Sequence, residues 1–253
     1  MMEIITSRKN PLLQKIRQLS SGGRSVREKA GEYLGDGVKL LEEALKWDVP
    51  LTTVVVTPEI TPPALPAGVR LVQVPRDVME TISPMKTPQG ALFLAQLPAT
   101  TPPQRLEGNR YLVLDGVQDP GNVGTIWRSA DALGADGLLL VNGCADPYSP
   151  KVVRATMGAC FRLPVWETTV EELEGLLKTS QIPLYATALR EDTVDVRQAD
   201  LGRAAVVIGS EGRGVSQALL DRAEQTVKIP MRERCESLNA ASAAVVVLWE
   251  MGK

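Results

Sequence analysis

The stretch YLVLDGVQDPGNVGTIWRSADALGADG, residues 111–137, is an apolar run, a glycine-containing loop and a helical pattern in succession. Loops of this kind between a strand and a helix often cradle phosphates. Two glycine-loop templates fail here. A P-loop ends in Gly-Lys-Ser/Thr, but Gly124 is followed by Thr125 and Ile126. A dinucleotide fingerprint needs three glycines as G-x-G-x-x-G, and this loop has G-N-V-G with no third glycine at the required offset. The spacing predicts a helix that buries Ile126, Ala130 and Leu133 and ends at Gly134. Arg128 falls off that apolar stripe, and Asn122 stands near the helix start. Taken alone, a capping amide accounts for Asn122 and a solvated cation accounts for Arg128.

Outward from this stretch, short apolar runs alternate with helical patterns. YLVLDGV, GLLLVNG, IPLYATAL, AAVVIGS and TVKIPM read as strands, and VEELEGLLKT and SQALLDRAEQ as helices between them. That alternation predicts a mostly parallel sheet with helices on its faces. Upstream, NPLLQKIRQL has Leu12, Leu13, Ile16 and Leu19 at helical spacing, and VKLLEEALKW puts Leu41, Ala44 and Leu45 on one face. LTTVVVT, VRLVQV and ALFLAQL read as strands. The proline- and threonine-rich LPATTPPQRLEGN separates the two halves. The expected organisation is α/β throughout: a smaller domain over 1–97, a linker over 98–107 and a larger domain over 108–253.

Composition narrows the chemistry. The chain has 253 residues, 44% of them apolar and 23% charged, which is ordinary for a globular protein. No apolar run is long enough to span a bilayer, no signal-peptide core is present, and the expectation is a cytoplasmic protein without a membrane partner. Three cysteines, Cys144, Cys160 and Cys235, are too scattered for a disulfide framework or a zinc site, so no metal is expected, and Cys160 reads as a small buried thiol. Histidine is missing altogether, which excludes Ser-His and Cys-His nucleophiles and every histidine base. Net charge is −2, but the first 30 residues hold seven basic side chains, including Arg8 and Lys9, against two acidic ones. A solvated amphipathic helix accounts for that excess, and an arm touching RNA phosphates is the alternative.

Two further segments matter. AAVVIGSEGRGVS, residues 204–216, ends a strand in a glycine-rich turn that holds Glu211; such a turn is the usual ligand position in an open α/β sheet, and an ordinary strand-to-helix connection with a solvated Glu211 is the default reading. VKIPMRERCESLNAASAAVVVLWE, residues 227–250, places Ser237 and Asn239 at the start of an alanine-dense helix, with Ser237 a sufficient N-cap.

In order along the chain, N-x-G-x-x-x-R-x-A-x-x-x-G, I-G-S-E-G-x-G and I-P-M-x6-L-N-A-A resemble the three signature motifs of the SpoU (TrmH-like) branch of the SPOUT RNA methyltransferases. The resemblance spans residues 110–253, and the first 97 residues more loosely resemble the substrate-binding domain often joined to that fold. One departure is Glu233, where the family usually has glycine. The resemblance implies a SPOUT fold with a parallel sheet and a deep trefoil knot, a homodimer, and transfer of a methyl group from S-adenosylmethionine to a ribose 2′-hydroxyl. Its implied RNA is rRNA more than tRNA, because compact tRNA-specific relatives often lack the extra domain; a catalytically silent RNA-binding relative is the other reading. A dehydrogenase is disfavoured by the missing fingerprint.

By position, the implied cofactor contacts are Ile208, Gly209, Gly212, Ile229, Met231, Ser237 and Leu238. Arg128, Glu211 and Asn239 are the implied catalytic residues, and Asn122, Lys151, Arg154, Arg8 and Lys9 the RNA contacts. The family's proposal makes the arginine, here Arg128, the base. A guanidinium stays protonated above pH 12, so a role in holding phosphate and stabilising the developing alkoxide fits its chemistry better.

Overall fold

The computed structural model describes residues 2–190, 192–232, 234 and 237–253; Glu233 and Cys235 lie outside the described residues. The chain forms two compact units, Met1–Pro98 with Asp146–Phe161, and Ala99–Ala145 with Arg162–Lys253.

In the first unit the chain runs β1 (Glu3–Ile4), α1 (Pro11–Ser21), α2 (Arg24–Ala30), β2 (Glu32–Asp36), α3 (Val38–Lys46), β3 (Leu51–Val56), β4 (Arg70–Gln73), α4 (Arg76–Ile82) and β5 (Ala91–Gln96). The sheet order is β1-β4-β3-β5-β2, with β5 antiparallel to both neighbours. Helix α1 starts because Asn10 accepts the Leu12 N–H at 2.9 Å, with Pro11 in the first turn. Its expected face, Leu12, Leu13, Ile16 and Leu19, is buried with Val78, Met79 and Ile82 of α4 over the sheet. Much of the basic N-terminal charge is taken up inside this unit. Arg27 is 3% exposed, and its Nε donates to Asp146 at 2.9 Å. Arg8 pairs with Asp77, Arg24 with Glu28 and Lys15 with Glu32.

The second unit begins with β6 (Arg110–Asp115), α5 (Pro120–Ala132) and β7 (Gly137–Val141). The chain then contributes α6 (Pro150–Ala155) to the first unit, where Tyr148 packs on Tyr33 and Phe161 on Phe93. It returns as β8 (Val165–Glu167), α7 (Val170–Ser180), β9 (Leu184–Thr187), β10 (Val194–Asp195), β11 (Ala204–Gly209), α8 (Gln217–Leu220), β12 (Gln225–Lys228) and α9 (Ala240–Met251). Every strand pairing in this sheet is parallel, in the order β10-β12-β9-β11-β6-β7-β8. The central strands read as unbroken apolar runs because both sheet faces are covered. Strand order reverses at β6, which has β7 on one side and β11 on the other. A crevice at the carboxyl ends of the strands belongs at such a point.

Three local readings change. Asp119, not Asn122, caps α5: its Oδ1 accepts the Asn122 backbone N–H at 2.8 Å. Asn239, not Ser237, caps α9. The buried stripe of α5 is Val123, Ile126, Trp127 and Ala130, with Leu133 only half-buried; Gly134 ends the helix at a left-handed φ of 74° as expected. The tertiary reason is that α5 packs along α9 as well as on the sheet, so more than one narrow stripe is covered. The pattern SQALLDRAEQ yields only the short α8, since the chain re-enters the sheet as β12 beside β9. Cys160 is buried, and burial pushes the Cys144 thiol up to about 11. Among the described residues no helix is long and apolar enough to cross a membrane, and no cluster of three or more His, Cys, Asp or Glu side chains could hold a metal ion.

Trp127 is the largest fully buried side chain, and its Nε1–H donates to the Leu163 carbonyl at 3.0 Å. Trp127→Ala is expected to cost about 3–5 kcal/mol in urea unfolding, from the cavity together with the orphaned carbonyl. A loss below about 1 kcal/mol would show that this core relaxes around the gap.

Candidate active site

The site is assembled at the carboxyl ends of the parallel strands. Asp115, the last residue of β6, is 4% exposed. Its Oδ2 accepts the Ser216 backbone N–H at 2.6 Å, and its Oδ1 accepts the Asn142 Nδ2–H at 2.7 Å. Asn142 follows β7 with a left-handed φ of 54°, and Ser216 ends the loop after β11. A buried carboxylate needs such partners, and here they tie three strand ends together.

Beyond β11 the backbone doubles back at once. The Gly214 N–H donates to the Ser210 carbonyl at 2.8 Å, and Gly214 has a φ of 67°. Gly209 is required by contact: a Cβ there would lie 2.1 Å from the Gly214 carbonyl carbon. The tight turn presents Glu211 to the start of two helices. Its Oε1 accepts Nδ2–H of Asn122 at 2.9 Å and Nδ2–H of Asn239 at 2.6 Å. Asn239 also donates to Asn122 Oδ1 at 3.1 Å. Its own Oδ1 accepts the N–H groups of Ala241 at 2.9 Å and Ser242 at 3.3 Å. Both protons and both lone pairs of the Asn239 amide are therefore used. Asn239 starts α9 and holds Glu211.

Beside this network is a cavity of about 300 Å³, at the low end of the usual range for ligand pockets. Ile208, Gly209, Ile229, Met231, Ser237 and Leu238, all expected at the cofactor, line it together with Ser210 and Glu211. Gly212 does not line it. Beyond the tip of the turn, Gly212 faces a second cavity with Asn122 and Glu211. Arg128 lies further along α5, exposed, lining none of these cavities and with no hydrogen bond or ion pair among the described residues. Lys151 and Arg154 lie on α6, and with Arg8 and Lys9 they belong to the first unit. Thr187, Ala188, Leu189 and Lys228 also line the cavity. Sequence reasoning missed these four. Their strands were legible, but only the sheet order brings the ends of β9 and β12 beside β11.

The two glycines give a discriminating pair. Gly209→Ala forces the turn open and is expected to weaken S-adenosylmethionine binding by about tenfold or more in calorimetric titration. A Cβ at Gly212 meets nothing within 4 Å. Gly212→Ala is expected to stay within about twofold of the parent affinity, well under the 1.4 kcal/mol of a tenfold change. Equal losses in both variants would place Gly212 at the cofactor together with Gly209.

Residues 109–249 match the SpoU rRNA Methylase family, and residues 10–92 match the MRM3-like substrate binding domain. The chain is 30% identical over 251 residues to the 23S rRNA (guanosine(2553)-2′-O)-methyltransferase RlmP of Bacillus subtilis (strain 168), covering 99% of each. The AdoMet-bound rRNA methyltransferase from Sinorhizobium meliloti superposes with a TM-score of 0.87 at 30% identity, over 99% of this chain and 97% of that one. The SpoU methyltransferase AviRb from Streptomyces viridochromogenes, in complex with AdoMet, gives 0.85 at 29% identity, over 96% and 98%. With its three motifs folded into one network at the strand ends and both units matched, this chain belongs to the SpoU rRNA methylase family.

Proposed function

We propose that the protein transfers the methyl group of S-adenosylmethionine to a ribose 2′-hydroxyl of rRNA. One observation carries the reading: Asn122, Glu211 and Asn239, from three separate motifs, close into a single hydrogen-bonded network at the wall of the strand-end cavity. Relatives that match along nearly the whole chain, both units included, are named for rRNA, which favours rRNA over tRNA. All of the network side chains are intact, which argues against a silent relative.

The cavity suits the cofactor in its chemistry. Its lining is largely aliphatic, with Ser210, Ser237, Glu211 and Lys228 among its polar and charged residues. A ligand bearing both a sulfonium and a carboxylate has one acidic and one basic residue in that lining to match. Ile208, Gly209, Ile229, Met231, Ser237 and Leu238 would hold it, and it would supply an electrophilic methyl group. The protein's own work is orientation and charge management. Asn122 and Asn239 fix Glu211, so this part of the cavity wall keeps its place. Arg128 is assigned to the RNA, holding phosphate and stabilising the alkoxide as the hydroxyl loses its proton; no histidine is available for that task. Lys9, Lys151, Arg154 and Arg8 are assigned to phosphates further along the RNA.

The same reading includes a homodimer, a cytoplasmic address and the trefoil-knotted chain path of the SPOUT fold. The dimer is supported by α9, whose Val245 and Trp249 expose apolar surface one turn apart, 40% and 62% respectively.

Mapping 2′-O-methyl sites in rRNA and tRNA, with and without the protein, tests the substrate. Arg128→Ala is expected to lower methyl transfer roughly 100-fold or more. Its S-adenosylmethionine affinity should stay at the parent value; a parallel fall in affinity would remove Arg128 from the RNA side.

A further inference from the structure

Helix α5 decides which side chains can reach Arg128. On a helix the neighbours of position i stand three and four residues away. For Arg128 these are Gly124, Thr125, Asp131 and Ala132, so Asp131 is the one charged side chain at that spacing. A carboxylate there works against an arginine that must hold phosphate. It can draw the guanidinium into a pair along the helix, and its own charge repels the phosphate.

That pair is not formed. Arg128 is exposed and makes no hydrogen bond or ion pair among the described residues. Asp131 is held instead by Arg162, from the same unit, whose Nε donates to Oδ2 at 2.9 Å and whose Nη2 donates to it at 2.7 Å. Each side chain is 22% exposed, so solvent screens this pair less than it screens one on the open surface. The next residue, Leu163, accepts the Trp127 Nε1–H at 3.0 Å. Residues 162 and 163 therefore hold α5 on both sides of Arg128 in the sequence, at Trp127 and at Asp131.

We infer that Arg162 is a positioning residue for Arg128: by occupying and neutralising Asp131, it keeps the Arg128 guanidinium open to an RNA phosphate. The inference rests on the methyltransferase reading above and on the place that reading gives Arg128. A guanidinium suits the task, since Nε–H and Nη–H lie in one plane and both are spent on the one carboxylate. A plain clamp on α5 is the rival role. The two part on Asp131: a clamp loses its anchor when that carboxylate goes, whereas a neutralising partner is no longer needed.

The test uses the full chain, saturating S-adenosylmethionine and an RNA transcript spanning the methylated nucleotide once mapped. Arg162→Gln leaves Asp131 uncompensated and is expected to lower kcat/KM for RNA about 3- to 10-fold, the span of a helical pair plus one like-charge repulsion across roughly 7 Å of partly screened solvent. Cofactor affinity should not move. Because the cause is charge, the ratio of parent to variant should fall toward one as salt rises from about 0.05 M to about 0.5 M. Asp131→Asn, which tests the same point without touching Arg162, should stay within about twofold of the parent, and adding it to Arg162→Gln should restore transfer. Arg162→Lys keeps the charge and should recover most of the loss. A clamp gives the opposite pattern: Asp131→Asn loses as much as Arg162→Gln, the double variant is not rescued, and salt leaves the ratio unchanged. Any of these results overturns the inference. Parent activity in Arg162→Gln overturns it alone where Arg128→Ala lowers transfer; if Arg128→Ala leaves transfer intact, the reading of Arg128 fails and this inference falls with it.

Discussion

The site depends on one buried carboxylate placed where the strand order reverses. Asp115 ends β6 between β7 and β11, and its two oxygens hold the chain leaving both neighbours. A charge at 4% exposure is tolerable only when fully hydrogen-bonded, so its partners cannot drift without leaving it unsatisfied. That requirement shapes the rest. The loop after β11 is pinned at Ser216, must return over Gly209, and so presents Glu211 at its tip.

From that turn the work divides between backbone and side chains. Mostly aliphatic and glycine residues line the strand-end cavity. Polar side chains converge beside it, with two asparagines spending their amides on one carboxylate. The asparagines also belong to the first turns of α5 and α9, so the positive ends of two helices face the Glu211 carboxylate. The chain has no histidine, and fixed dipoles and amides are what surround this carboxylate.

Much of this was legible beforehand because the signals are local. Short apolar runs predicted the central strands, and Gly209, Gly212 and Gly214 marked a turn; Gly209 is needed for close approach and Gly214 for a positive φ, while Gly212 needs neither. The misreadings came where neighbours outweigh local preference. Asp119 and Asn239 are the caps, although Asn122 and Ser237 are equally good by residue type; only the geometry of each helix start chooses. Asp146–Phe161 joins the first unit through Arg27, Tyr33 and Phe93, partners more than 60 residues away that no periodicity encodes. The N-terminal basic excess reads as a solvated helix or as an arm touching RNA; Arg27 is buried, and Arg8, Lys15 and Arg24 have carboxylate partners in their own unit.

The sequence by itself determined the fold class, the central strands and the longer helices, and the three motifs that resemble one methyltransferase family, since period, turn chemistry and spacing are properties of short stretches. Tertiary structure alone decided which motif residues touch. Glu211 meets Asn122 and Asn239 across separations of 89 and 28 residues because strand order reverses at β6. Gly212, adjacent in sequence to Glu211, lines the neighbouring cavity with Asn122 and not the one lined by Ser237 and Leu238. Such contacts follow from sheet topology, and a parallel sheet draws its neighbours from distant parts of the chain.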